Sequence, residues 1–107
     1  MKAYDHPAID QVAIENVLHA LSDPLRLGIV RQLEAEGQAS CNALDQGRPK
    51  SSMSHHFRVL RGAGLVRTRA EGTQHINVLR REELDRRFPG LLDAVLADAK
   101  GPSTARR

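Results

Sequence analysis

The stretch KSSMSHHFRVLRGAGLV, residues Lys50 to Val66, has the spacing of an amphipathic helix that ends in a turn. Met53, Phe57 and Leu60 recur at three- and four-residue intervals, so they share one side of a helix, and Gly64 continues the same line. The opposite side carries short hydroxyls, an imidazole and a guanidinium, from Ser51, Ser54, His55 and Arg58. The pattern predicts a helix that packs on the protein with one side and displays polar groups on the other.

A first helix is expected near the N-terminus. Asp5-His6-Pro7 has residues that can open a helix, and the apolar positions between residues 9 and 21 cover more than one side of it, with Ile14 and Leu18 beside the main stripe. A helix that is apolar on two sides packs on its own core and on a second surface. A second subunit is one candidate for that surface, since a chain of 107 residues buries only a modest core by itself.

Two further helices are marked by their end signals. Asp23 is the expected N-cap of the second helix, Pro24 fits its first position, and Gly37 suits its C-terminal cap. Ser40 is the expected cap of a short third helix that ends at Gly47.

Two runs with strand character follow the quoted stretch. LVRTRA and QHINVL flank Glu71-Gly72-Thr73, a hairpin signal, and a final helical segment is broken at Phe88-Pro89. The predicted fold class is therefore mainly α with a small β-hairpin wing, a winged helix-turn-helix domain over residues 1–99 with a flexible tail at 100–107. In such folds the second helix of the pair enters the major groove of DNA.

The basic charge is concentrated in the middle of the chain. Residues 1–47 carry three Lys/Arg and seven Asp/Glu, whereas residues 48–81 carry eight Lys/Arg and one acid. That concentration is expected of a surface that meets phosphates, and a solvated basic face without a partner is the alternative. With one tyrosine, two phenylalanines and no tryptophan, the composition argues against a module that stacks single-stranded bases.

Compartment signals point in one direction. The chain has one cysteine, Cys41, so no intrachain disulfide is expected, and no apolar run is long enough for a membrane span or a signal peptide. We expect a cytoplasmic protein without a membrane partner.

Metal binding and catalysis within the quoted stretch are disfavoured by geometry. His55 and His56 are neighbours, so their side chains diverge by about 100° on a helix and cannot hold one ion together. Ser52 and His56 are four residues apart, but no carboxylate lies nearby to orient the imidazole. We therefore predict no catalytic residue, no enzyme activity, no metal site and no cofactor.

Double-stranded DNA accounts for all parts of the stretch. Hydroxyls near a helix N-terminus can donate to phosphates or base edges, and Arg58, one turn on, can reach a guanine or a phosphate. For Ser51, a helix N-cap is the alternative role, and His56 is expected to be a partly buried structural residue. The predicted DNA-binding residues are Lys50, Ser51, Ser52, Ser54, His55, Arg58 and Arg61 on the helix and Arg67, Arg69, Thr73 and Gln74 on the wing.

Two segments, ALSDPLRLGIVRQL (Ala20 to Leu33) and the quoted stretch, resemble the ArsR/SmtB family of bacterial winged-helix repressors. The resemblance covers about residues 9 to 97. It implies a homodimer held by the first and last helices, a near-palindromic operator, and repression that a ligand or chemical signal relieves. Many relatives carry arginine just after the turn glycine, where this chain has Thr73-Gln74.

The sensor sites familiar in that family lack their ligands here. ASCNALD holds Cys41 alone where some members have Cys-x-Cys, and LLDAVLADAK has no histidine on the last helix. Cys41 is a candidate for a redox response, with burial as a small apolar residue as its alternative. A small-molecule effector, metal ligands shared between subunits (His6 or His19 with the partner subunit's Cys41) and a protein-interaction module are the remaining alternatives.

Overall fold

A computed structural model describes residues 4–97. Over that range the chain forms helices packed around a small antiparallel sheet, which confirms the predicted fold class. The helices are α1 (Ile14–Leu21), α2 (Pro24–Glu36), α3 (Cys41–Asp45), α4 (Lys50–Gly62), α5 (Arg81–Arg87) and α6 (Leu91–Ala97), and a short 3-10 helix spans Ile9–Gln11. The strands are β1 (Ala39–Ser40), β2 (Val66–Glu71) and β3 (Gln74–Leu79). The expected tail at 100–107 lies outside the described residues.

The sheet has the strand order β1-β3-β2. Strands β2 and β3, which we call the wing, pair from Val66 opposite Leu79 to Glu71 opposite Gln74, and the two-residue turn between them uses Gly72 at a φ of 63°. The hairpin prediction is confirmed. The sequence did not indicate β1, because two residues are too few for a periodic pattern and their partner strand is distant in sequence.

The start of the first helix differs from the prediction. Residues 4–8 have no helical structure, and the α-helix begins at Ile14, so Asp5-His6-Pro7 does not open it. The His6 imidazole instead accepts a hydrogen bond from the Thr68 backbone N–H, and the Pro7 carbonyl accepts one from Arg80. These long-range bonds hold the segment against the sheet and compete with local helix formation.

The predicted ends of α2 and the predicted N-cap of α3 are confirmed, but α3 ends at Asp45 and not at Gly47, because Gln46 leaves the helical conformation at a φ of 52°. The Asp23 carboxylate accepts from the backbone N–H groups of Leu25 and Arg26 at 2.9 and 3.0 Å, and Gly37 ends α2 at a φ of 86°. The Ser40 hydroxyl accepts from Ala43 at 3.1 Å. An N-cap role for Ser51 is wrong, because α4 begins one residue earlier and its cap position is Pro49.

The inner side of α4 is part of the hydrophobic core. Met53, Phe57 and Leu60 are buried, together with core residues of α1, α2 and β2. Gly64 follows the helix at a φ of 87°, and an added Cβ there would lie inside van der Waals distance of the Val12 side chain. Glycine therefore permits both the turn and the close approach of the N-terminal segment.

A buried arginine links α1, α2 and α4. Arg26 donates from Nε to the Ala20 carbonyl at 2.8 Å and from a terminal nitrogen to the His19 carbonyl at 3.4 Å. Its other terminal nitrogen lies 3.2 Å from Nδ1 of His56, which is half-buried as predicted. Arg26 thus satisfies the C-terminal carbonyls of α1 while it fixes the position of α4.

We predict that Asp23→Ala lowers the free energy of unfolding by about 1 kcal/mol at neutral pH, because two helix N–H groups lose their acceptor. Chemical denaturation measures this loss. Asp23→Asn is the matched control: it keeps a good cap and should stay within a few tenths of a kcal/mol of wild type at neutral pH, since Asn caps about as well as Asp.

The same variants test the pH dependence of the cap. The N–H of Arg26, above all, lowers the pKa of the Asp23 carboxyl in the folded protein. The stabilisation of the fold by the Asp23 carboxylate is therefore present above the pKa of a free aspartate, about 4. It is lost as the pH falls through the lower pKa of the folded protein. Denaturation at a series of acidic pH values should show this loss in wild type and not in Asp23→Asn; equal slopes would contradict it.

Candidate nucleic-acid interface

The outer side of α4 is exposed as predicted. Ser51, Ser54, His55 and Arg58 are all exposed, while the side chains of Met53, Phe57 and Leu60 face the core. Within residues 4–97, Arg58 makes no hydrogen bond or ion pair. Its guanidinium is available to an external partner.

The N-terminal turn of α4 is tied to α3. The Lys50 ammonium donates to Asn42 Oδ1 at 2.5 Å and lies 3.3 Å from Oδ2 of the buried Asp45, yet 75% of the Lys50 side chain is exposed. The Ser52 hydroxyl donates to the Pro49 carbonyl at 3.0 Å. The Lys50 ammonium is therefore exposed and held in a fixed position. The Ser52 hydroxyl, by contrast, already donates its hydrogen bond within the protein.

The C-terminal turn of α4 carries Arg61, which is half-buried. Its guanidinium carbon lies 4.5 Å from the centre of the Tyr4 ring, in a cation–π contact. Tyr4 in turn is hydrogen-bonded to His75 of β3, with 2.7 Å between the hydroxyl oxygen and Nδ1. Sequence reasoning missed Tyr4 and His75, because nothing local indicates that the N-terminus reaches the wing.

The wing arginines have acidic neighbours. A terminal guanidinium nitrogen of Arg67 lies 3.3 Å from Oε1 of Glu83, and Nε of Arg69 lies 3.5 Å from Oε2 of Glu71. The hydrogen-bonded side chain of Arg80 is the main cause that lowers the pKa of the Glu83 carboxyl, with Arg67 and Arg86 adding to it, so Glu83 stays ionised beside Arg67. Part of the positive charge of these arginines is thereby neutralised inside the protein.

Eight of the eleven residues predicted to contact DNA line one of two separate cavities. The first is a cleft of about 440 Å³ between α4 and the wing, which we call the α4–wing cleft, and the predicted residues that line it are Lys50, Ser54, Arg58, Arg61, Thr73 and Gln74. Arg67 and Arg69 line a separate cavity of about 480 Å³ with Arg80 and Glu83. The structure thus brings four of the seven predicted α4 residues together with the wing tip and places Arg67 and Arg69 apart from them, while Ser51, Ser52 and His55 line neither cavity.

Cys41 also lines the α4–wing cleft, where it is half-buried. Its sulfur lies 3.3 Å from the Asn77 amide nitrogen, which donates to it. In the described range, no group of three or more His, Cys, Asp or Glu side chains is arranged to hold a metal ion. The Nε2 atom of His6, considered above as a shared ligand, already accepts from Thr68 at 2.9 Å.

Among residues 4–97, none of the helices has the length and the apolar composition of a transmembrane segment.

Comparison with known proteins places this geometry in a family. Residues 21–69 match the helix-turn-helix domain family. The chain is similar to the HTH-type transcriptional regulator YceK of Bacillus subtilis, with 34% identity over 80% of this chain and 88% of that protein. It is also similar to the arsenical resistance operon repressor of Staphylococcus xylosus, with 34% identity over 67% of this chain and 70% of that repressor.

A solved structure agrees with the sequence relatives. The homodimeric winged helix-turn-helix DNA-binding domain Mb0332 of Mycobacterium bovis superposes with a TM-score of 0.64 and 28% identity, covering 88% of this chain and 86% of that one. These relatives are transcriptional regulators, which confirms the expectation that the chain is not an enzyme. The chain belongs to the ArsR family of winged helix-turn-helix transcriptional regulators.

Proposed function

We propose that this regulator is a repressor that binds a near-palindromic operator in double-stranded DNA as a homodimer. The observation that carries the proposal is the outer side of α4, where exposed Ser54 and Arg58 stand opposite a buried apolar stripe. A helix anchored in this way can enter the major groove as a rigid body with its polar side toward the bases.

Base contacts come from the middle of α4 in this proposal. Arg58 is long enough to reach the O6 and N7 atoms of a guanine, and the Ser54 hydroxyl, one turn before it, can donate to or accept from a base edge. Ser51 and His55, which are also exposed, are the flanking contacts. Ser52 is a weaker candidate, since its hydroxyl already donates to Pro49.

Phosphate contacts come from the ends of α4 and from the wing. Lys50 and Arg61 flank the base-reading residues and line the same cleft. At the wing tip, the exposed Thr73 and Gln74 face that cleft, so they are placed to follow the backbone of the same DNA. Arg67 and Arg69 contribute less, because acidic side chains of the protein compete for them.

Dimerisation is proposed from α1. Ile14 and Leu18 are one helical turn apart, and 42% and 48% of their surfaces are exposed, which is costly for large apolar side chains in water. In a homodimer, α1 of the second copy, together with the half-buried apolar residues of α6, can cover these two side chains. The homodimeric state of the similar Mb0332 domain supports the proposal. Two-fold symmetry then separates the two half-sites by one DNA turn, about 34 Å, or a multiple of it.

The signal that relieves repression stays a prediction. Cys41 opens onto the α4–wing cleft, so a small organic molecule or a thiol oxidant acting there would alter the surface proposed to meet DNA. Its sulfur has a protein hydrogen-bond donor, which equally suits a structural role.

We predict that Arg58→Ala combined with Ser54→Ala removes most of the preference for operator over random DNA, because each good base contact is worth about 1–3 kcal/mol of discrimination. Fluorescence anisotropy with a duplex enriched by the wild-type protein from random sequences measures both affinities. Arg86→Ala is the control, since it removes the same charge from an exposed position on α5.

A loss confined to the enriched duplex supports base reading by α4. An equal loss of affinity for both duplexes would indicate that Arg58 and Ser54 contact phosphates and not bases. No binding of any duplex by the wild-type protein, even at low salt, would contradict the proposed function as a whole, since phosphate contacts alone give salt-dependent affinity.

We predict that Leu18→Glu yields a monomer, because a charge at this position cannot be buried against a second α1. Analytical ultracentrifugation measures the change, and operator affinity should fall with it. Ala35→Glu places the same charge on an exposed part of α2 and should leave both properties unchanged. A dimer that persists in Leu18→Glu would contradict the α1 interface.

A further inference from the structure

The segment Tyr4–Pro7 lies along the outer edge of the wing. Strand β2 is the edge of the sheet, and the backbone N–H of the buried Thr68 donates to Nε2 of His6 at 2.9 Å instead of to another strand. The Pro7 carbonyl accepts from the buried Arg80 at 2.8 Å. An edge N–H that would otherwise be buried without a partner is thus satisfied by a side chain from the N-terminus.

Tyr4 connects the two sides of the α4–wing cleft. Its ring lies against the Arg61 guanidinium of α4 at 4.5 Å, and its hydroxyl is hydrogen-bonded to His75 of β3 at 2.7 Å. The Tyr4 and His75 rings also meet edge to face, with 5.8 Å between their centres. One side chain therefore contacts both elements that are proposed to hold DNA.

We propose that Tyr4–Pro7 is a strap that fixes the wing against α4 and holds Arg61 ready for a DNA phosphate, with Tyr4 and His6 as positioning residues. The inference rests on the DNA-binding function proposed above. It assigns to the N-terminal segment a part in operator affinity that does not require the segment to touch the bases.

The physical basis is preorganisation. A free arginine side chain loses rotamer freedom when it is fixed on a partner, which weakens the binding of that partner. The Tyr4 ring already confines Arg61, and the ring leaves the N–H groups at the edge of the guanidinium free to donate. Likewise, the wing is a two-stranded ribbon beyond its short pairing with β1, so a strap along β2 limits its movement relative to α4.

Protonation of His6 should loosen the strap. Burial, above all, lowers the pKa of His6, and the nearby Arg67, Arg80 and Arg61 lower it further, while Asp5 acts in the opposite direction. Only an unprotonated Nε2 can accept from Thr68. The bond is therefore present near neutral pH and is lost as the pH falls from the usual histidine range through the lower folded pKa.

The test is a double-mutant cycle between Tyr4 and Arg61, read as affinity for the enriched duplex at neutral pH. Tyr4→Ala should weaken binding about three- to fivefold, the size of an exposed cation–π contact. In an Arg61→Ala background the same change should have almost no effect, because Tyr4 then has no arginine to position. Tyr4→Phe keeps the ring and should lie between wild type and Tyr4→Ala.

His6→Gln gives a second, independent readout. Glutamine keeps an acceptor at every pH, so the ratio of wild-type to His6→Gln affinity should fall on acidification below the usual histidine pKa, whereas other histidines change both proteins alike. Circular dichroism melting confirms that each variant is folded.

Wild-type affinity in Tyr4→Ala, or an equal loss with and without Arg61, overturns the strap. A constant pH ratio between wild type and His6→Gln overturns the role of His6. The proposed function fails separately, through a wild-type protein that binds no duplex.

Discussion

The burial of Met53, Phe57 and Leu60 is the constraint on which the rest of this protein depends. Because these side chains share one side of α4, their packing sets the rotation of the helix, and the opposite side is exposed as a consequence. Ser54 and Arg58 need no contact of their own to be placed there. The geometry of the proposed DNA surface is thus a product of the hydrophobic core, and a volume change in the core at these positions would disturb binding without touching a polar residue.

Polar contacts add to the core packing in fixing the position of α4. Arg26 carries a buried charge and would be costly without partners, but the carbonyls at the end of α1 and the His56 ring satisfy it. The same side chain thereby connects α1, which carries the proposed dimer surface, with α4, which carries the proposed DNA surface. A movement of α1 at the proposed dimer surface would therefore act on α4 through one guanidinium.

The features that the sequence predicted correctly depend on residues close to each other along the chain, whereas the features that it missed depend on residues far apart along the chain. The Asp23 cap, the turn at Gly72 and the two sides of α4 follow from residues within one or two turns of each other, and the structure confirms them. The non-helical N-terminal segment and β1 depend on partners far along the chain, which periodicity cannot reveal. Ser51 failed as a cap because α4 starts one residue earlier, a boundary shift that local signals rarely resolve. The roles assigned to the side chains proposed to contact DNA stay predictions.

A crystal structure of the protein bound to a duplex enriched from random sequences tests the central claim most directly. The outer side of α4 should lie in the major groove, with Arg58 or Ser54 within hydrogen-bonding distance of base edges and the apolar stripe still buried. A complex in which the partner subunit covers Ser54 and Arg58, or in which the DNA contacts a different face of the protein, would contradict it.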